Sequence, residues 1–142
     1  MSLDLLFTIA NGFALVGWLL LALAPRSRLT HAAVVSGAMS LLLAVLYTGL
    51  LWRFYGTVDG GFGSLPEVVE LFRDPAMVLT GWVHYLAFDL FIGGWQLRDS
   101  QRRGVPHLLL LPCLGLTLMF GPVGLLAYHV VRRVLGRAPI GD

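Results

Sequence analysis

Long apolar segments separated by short polar stretches dominate the pattern of the chain. A bilayer core of about 30 Å needs about 20 apolar residues in an α-helix. Four segments reach that length, residues 5–24, 32–52, 77–97 and 106–131. The pattern predicts an all-α fold, an integral membrane bundle of four transmembrane helices that forms a single transmembrane domain over residues 1–142.

Capping and breaking residues refine these predicted helices. Ser64, Pro66 and Glu67 form a capping-box pattern in the second loop, which predicts a short helix ending near Phe72, on the bilayer surface or over the bundle mouth. Proline removes a backbone donor, so Gly121-Pro122 predicts a broken fourth span rather than a straight one. The first segment exceeds a signal-peptide core of about 7 to 15 residues and follows no positive charge, which predicts a retained helix.

Composition and charge agree with a membrane protein. Hydrophobic residues make up 57% of the chain and charged residues 13%, with a mean hydropathy of +0.79. The ten basic residues are all arginine and divide five to five between the two predicted sides, with Arg137 among those on the side of the termini. Most acidic residues lie on the predicted side of the termini, which weakly favours a topology with both termini outside the cytoplasm. No basic cluster predicts a nucleic-acid partner, and a single cysteine, Cys113, excludes an internal disulfide.

The third segment contains two ionisable residues, His84 and Asp89. Such side chains are costly in a membrane helix and indicate function by default. They lie about 140° apart on an ideal helix and flank a face that carries Tyr85. Two such groups suit acid/base chemistry. Two structural alternatives stay open: Tyr85 hydrogen-bonds Asp89 one turn away, or His84 bonds a neighbouring carbonyl or Asn11 of the first segment.

Other polar and aromatic residues give weaker signals. A metal site needs three or more converging ligands, and the remaining candidates lie mostly near helix ends, so we expect no cofactor and leave a metal undetermined. These candidates are His31, His107, His129 and Asp99. Side chains near the predicted cavity would line a long conjugated ligand, or the aromatic ones would only contact lipid: Asn11, Trp82, Phe88, Trp95, Thr117 and Phe120.

Several ordered motifs between residues 64 and 128 resemble the abscisic-acid-deficient-four-like family. They are Ser64-Leu65-Pro66-Glu67, Trp82-x-His84, Asp89-Leu90-Phe91, Asp99 and Phe120-Gly121-Pro122-Val123-Gly124. The resemblance implies a small multi-spanning membrane protein of carotenoid metabolism, related to neoxanthin synthesis in plants. There a xanthophyll epoxide is isomerised to an allene, which needs an acid and a base but no net redox change.

The leading prediction is therefore an intramembrane isomerase of a carotenoid or xanthophyll epoxide, with His84, Tyr85, Asp89 and Asp99 as candidate catalytic residues. An ion pair is the structural alternative for Asp99, which neighbours several arginines. Competing readings are oxidative carotenoid cleavage, non-catalytic carotenoid binding or assembly, and proton or ion conduction. The lysine-free chain suggests a bacterial cytoplasmic membrane, and a stripe of small residues in the second segment permits a homo-oligomer.

Overall fold

The computed structural model describes residues 2–135, and its regular structure there is entirely helical. The predicted single domain over residues 1–142 extends past this range and stays a prediction, and Arg137 lies outside the described residues. Six helices follow one another: α1 (Leu3–Leu23), α2 (Arg28–Phe54), α3 (Leu65–Leu71), α4 (Pro75–Arg103), α5 (His107–Phe120) and α6 (Pro122–Leu135).

Three of these helices are long and apolar enough to cross a membrane: α1, α2 and α4. They contain 21, 27 and 29 residues, so at 1.5 Å per residue each reaches at least about 30 Å, the thickness of a bilayer core. The first three predicted segments are confirmed as helices of spanning length. Within α2, a wide helical turn at His31–Val35 precedes Gly37, whose φ of 87° bends the helix.

Helix α4 is the central element and packs against α1, α2, α5 and α6. It runs parallel to α1, because Trp82 bonds Asn11 near one end and Gln101 bonds the Pro25 carbonyl near the other. Small residues allow the close packing: a Cβ on Gly94 would lie 3.0 Å from the Val34 carbonyl oxygen of α2. The core therefore surrounds α4, and any site on α4 has walls from several helices.

The predicted fourth span, residues 106–131, is wrong as a single span. At Gly121 (φ 45°) the chain reverses, and α6 packs back along α5 so closely that a Cβ on Gly124 would lie 2.2 Å from the Thr117 backbone nitrogen. Arg132 pairs with Asp99 near the end of α4 where α5 begins. Each helix has 14 residues, about 21 Å, which is shorter than a bilayer core of about 30 Å. Together α5 and α6 form a hairpin that starts and ends at the same end of the bundle.

The short α3 lies at the opposite end of the bundle, and Leu71 is the buried residue among its seven. Ser64 accepts a bond from the Glu67 backbone nitrogen, and the Glu67 carboxylate accepts one from Gly63, at 3.4 and 3.1 Å. The predicted helix is confirmed and ends at Leu71. Phe72 then lies directly over Gly81 of α4, which attaches this segment to the bundle at what we call the α3 end.

The reversal at Gly121 also changes the distribution of arginines. The even split assumed that the fourth segment crosses the membrane, so it placed the arginines of α6 on the wrong side. Among the described residues, only Arg53 and Arg73 lie at the α3 end. Seven lie at the opposite end, here called the arginine end: Arg26, Arg28, Arg98, Arg102, Arg103, Arg132 and Arg133.

Candidate functional site

A cavity of about 470 Å³ lies at the α3 end, between α2, α4 and the residues Phe62 and Phe72 on either side of α3. Three of the side chains that line it carry an imidazole or a phenol and can exchange a proton. They are His84 and Tyr85 of α4 and Tyr47 of α2. The rest of the lining is largely apolar and aromatic: Leu51, Phe62, Phe72, Met77, Val78, Thr80, Gly81 and Trp82. Such a cavity suits an apolar ligand held against a few polar groups.

His84 is an exposed side chain on the cavity wall. Its ring contacts Tyr47 and Phe88, with ring centroids 5.3 and 4.8 Å apart. The alternative in which His84 bonds Asn11 is not what the structure shows, because the Asn11 Oδ1 accepts a bond from Trp82 Nε1 at 3.1 Å. Aromatic packing therefore orients the imidazole, and its nitrogens form no hydrogen bond with another described residue.

Tyr85 connects the cavity to the hairpin behind it. Its ring lines the cavity, and its hydroxyl donates to the Leu118 carbonyl at 2.6 Å. The hydroxyl also lies close enough to Asp89 for the two groups to interact electrostatically. The hydroxyl gives its single proton to the hairpin backbone, and the predicted approach of Tyr85 to Asp89 is present beside that bond.

Asp89 faces the hairpin turn rather than the cavity. The side chain is 9% exposed, and its Oδ2 has no hydrogen-bond partner among the described residues. A Cβ on Gly121 would lie 2.8 Å from its Oδ1, so only glycine at the turn leaves room for the carboxylate. The sequence placed His84 and Asp89 on two sides of one cavity face, whereas the structure gives each its own surroundings, with Tyr85 between them.

Asp99 belongs to an ion-pair cluster at the arginine end. Both carboxylate oxygens accept from Arg103 Nε at 3.0 and 3.1 Å, Arg132 lies at 3.3 Å, and the Tyr128 hydroxyl donates at 2.7 Å. It lies fifteen positions beyond His84, about 22 Å along α4. The structure therefore shows the ion pair that was the alternative for Asp99, and does not bring this residue to the cavity.

The predicted aromatic lining is only partly assembled. Trp82 lines the cavity, and Phe88 lies in an adjacent apolar groove. Trp95 instead stacks on His129 at the arginine end. Thr117 is fully buried and hydrogen-bonded to Gln96, and Phe120 is exposed. Asn11 bonds Trp82 and the Phe7 carbonyl and does not line the cavity. No group of three or more His, Cys, Asp or Glu within residues 2–135 could hold a metal ion.

Sequence reasoning missed the walls that α2 and the second loop contribute, namely Tyr47, Phe62 and Phe72. None lies in a motif with its own chemical signature. Phe72 was considered only as the predicted end of the short helix, and a pattern along one helix does not tell which loop residues fold over it. The one usable signal was the capping box, which predicted a short helix on the bilayer surface or over the bundle mouth.

Comparison with known proteins shows which family the chain belongs to. A family model described as ABA DEFICIENT 4-like matches residues 5–128. The chain belongs to the ABA DEFICIENT 4-like family. It is 25% identical over 139 residues to "Protein ABA DEFICIENT 4, chloroplastic" of Arabidopsis thaliana, covering 91% of this chain and 61% of that protein. The chain thus spans about three fifths of its relative's length, and no solved structure matches it.

The match confirms the resemblance found in the sequence motifs, and it extends over more of the chain than those motifs did. Three helices of spanning length support a membrane location. The expectation of a bacterial cytoplasmic membrane gains no support, because the relative is described as chloroplastic.

Proposed function

We propose that the protein is an integral-membrane enzyme that isomerises a carotenoid, opening the epoxide ring of a xanthophyll to an allene. The observation that carries this proposal is the cavity at the α3 end, where His84 and Tyr85 lie in one apolar, aromatic lining. The substrate class follows from family membership and from the resemblance to proteins of neoxanthin synthesis. Catalysis inside a bilayer requires a substrate that is itself lipid-soluble.

The reaction needs two proton transfers. The epoxide C–O bond breaks and its oxygen gains a proton, while a C–H bond on the adjacent carbon breaks and leaves its electron pair in the new double bond. Atoms and electrons balance, so the reaction uses no oxidant and no redox cofactor. We assign proton removal to His84, a residue suited to this role near neutral pH. The Tyr85 hydroxyl, released from the Leu118 carbonyl, gives its proton to the epoxide oxygen beside Asp89. The proton that His84 removes from carbon returns to Tyr85 at the end of the cycle, so both residues recover their starting states.

The shape of the surface suits a ring with a long chain attached. The cavity has room for an end ring, and an apolar groove of about 190 Å³ lies beside it between α2 and α4. Its lining residues are Ser40, Leu41, Ala44, Ala87, Phe88 and Phe91. Phe88 lies against the His84 ring, so a polyene leaving the cavity past His84 meets this groove and then lipid.

The test is pigment chromatography of a host that makes xanthophyll epoxides, with and without the protein. We expect a product of equal mass, lost in His84→Gln and retained in His129→Gln. His129 is a suitable control because it stacks on Trp95, about 16 Å further along α4 than His84. Both variants must reach the membrane at equal levels. If His84→Gln still gives the full product, the proposed role of His84 is wrong; shortened or oxygenated products would favour oxidative cleavage instead.

One observation favours a second candidate, a carotenoid-binding protein without turnover. Asp89 does not line the cavity, so the two groups first paired as acid and base do not both reach a ligand there. This reading predicts that the purified protein retains a coloured carotenoid and that the host's pigment profile is unchanged by its expression. Retention of pigment together with conversion would exclude it.

A further inference from the structure

A second cavity, of about 500 Å³, opens at the arginine end, far from the proposed catalytic site. It lies between the loop joining α1 to α2 and the loop joining α4 to α5. Unlike the cavity at the α3 end, its lining is rich in polar side chains and contains no Asp or Glu. The polar lining residues are Arg26, His31, Ser100, Gln101 and His107.

Three of these polar side chains hold the walls of the cleft. Gln101 donates to the Pro25 carbonyl at 2.8 Å, Ser100 donates to the Leu97 carbonyl at 2.8 Å, and His107 Nε2 bonds the Ala22 carbonyl at 2.9 Å. The bonds of Gln101 and His107 join the ends of α4 and α5 to the residues that follow and end α1, whereas the Ser100 bond lies within α4. These three side chains are already engaged, which leaves Arg26 and His31 to contact a ligand.

Arg26 and His31 are exposed, and neither side chain forms a hydrogen bond or an ion pair with any other described residue. Both side chains line the cleft. A guanidinium group offers a planar fork of N–H donors that matches the oxygens of a phosphate. With no carboxylate in the lining to compete, the cleft has the charge and the donors that an anion requires.

The position of the cleft in the membrane indicates where the anion comes from. Seven arginines lie at this end and two at the α3 end among the described residues, and basic loops stay on the cytoplasmic side. Basic pockets between membrane helices on that side bind lipid head groups. Three leucines one or two positions from lining residues, Leu23, Leu29 and Leu108, are 79, 62 and 78% exposed and offer a surface for acyl chains.

We propose that this cleft binds the phosphate group of an anionic phospholipid, with Arg26 and His31 as its donors. The site is independent of the proposed isomerase activity and serves to anchor the two loops to one leaflet. Free phosphate shares the same chemistry but lacks acyl chains, so it does not use the exposed leucines and binds more weakly.

The experiment measures the melting temperature of the purified protein in detergent as phosphatidylglycerol is titrated, with phosphatidylcholine and inorganic phosphate as separate arms. We expect phosphatidylglycerol to raise the melting temperature at lower concentrations than inorganic phosphate does, and phosphatidylcholine to leave it unchanged. Arg26→Gln weakens the apparent affinity about fivefold, the loss of one arginine contact with an anionic lipid. Arg53→Gln, the same substitution at the α3 end, leaves the affinity unchanged, and His31→Gln weakens it like Arg26→Gln.

Native mass spectrometry of the same proteins counts the lipid molecules retained. Retention of one phosphatidylglycerol by wild type and by Arg53→Gln, but less by Arg26→Gln, supports the site. Equal affinity in Arg26→Gln and Arg53→Gln, or an equal response to phosphatidylcholine, overturns the proposal. An equal response to inorganic phosphate overturns the lipid as its source, because the acyl chains would then contribute nothing.

Discussion

Adding a single methyl group at Gly124 tests whether the hairpin is packed as the structure shows. A Cβ there would lie 2.1 Å from Thr117 Oγ1 and 2.2 Å from the Thr117 backbone nitrogen. No change of rotamer relieves a clash with backbone, so α5 and α6 must separate. Gly115 offers a matched control in the same hairpin, because a Cβ at that position meets no atom within 4 Å.

The expected cost has two parts. Overpacking costs about 1–3 kcal/mol. Separation of the helices also strains the bonds from Gln96 to Thr117 and to the Gly124 carbonyl, at 2.9 and 3.2 Å, and a polar contact in a membrane protein contributes about 0.6 and at most about 1.7 kcal/mol. We expect Gly124→Ala to lower the free energy of unfolding by about 2–4 kcal/mol. Gly115→Ala should change it by about 1 kcal/mol or less, and in the stabilising direction.

Equilibrium unfolding in mixed micelles, followed by circular dichroism over a titration with sodium dodecyl sulfate, measures both values. The difference between the free energies of unfolding of the two variants is decisive, because both substitutions replace a glycine by alanine within the hairpin. If the two variants unfold with the same free energy, the close contact of α6 with Thr117 does not exist and the reversal at Gly121 is wrong.

Three further predictions concern topology and the polar contacts of α4. A reporter fused after Leu135 should lie on the same side of the membrane as one inserted in the loop between α4 and α5, and opposite the N-terminus; a C-terminal reporter on the N-terminal side would contradict the hairpin. Asp99→Asn should lower the free energy of unfolding by about 1.5–3 kcal/mol, measured against Asp59→Asn in the exposed loop, where an equal loss would refute a role for the ion pairs. Tyr85→Phe should cost about 0.6–1.7 kcal/mol by leaving the Leu118 carbonyl unpaired, and no change in the same unfolding assay would show that this bond is not formed.

The hydrophobic pattern predicted the positions of three long helices, because length and apolarity are local properties of the chain. It also predicted a break at Gly121-Pro122 and a capped helix after Ser64. The hydrophobic pattern did not predict the direction of the chain after the break, because a break in a helix does not determine the angle between its two parts. That direction depends on contacts between residues far apart, such as Gln96 with Thr117 and Gly124.

The candidate site shows the same division. Helical geometry correctly separated His84 from Asp89 by a large angle, and the chemistry of both residues was evident from their place in an apolar segment. Which neighbours fill the space on each side was not encoded locally: α2 and Phe72 make a cavity beside His84, whereas Gly121 closes over Asp89. A periodicity argument identifies faces of a helix but not the element that covers each face.

The hairpin of α5 and α6 has a consequence for how the protein is made. A fourth span would require Arg132 and Arg133 to be carried across the apolar core during insertion, and a charged side chain there costs about 2.5–3.5 kcal/mol or more. Because both legs of the hairpin end at the arginine end, these two residues never leave the side on which the α4 to α5 loop remains. Biosynthesis then needs three crossings and one insertion from a single side, in which α5 and α6 enter the bilayer together as a pair.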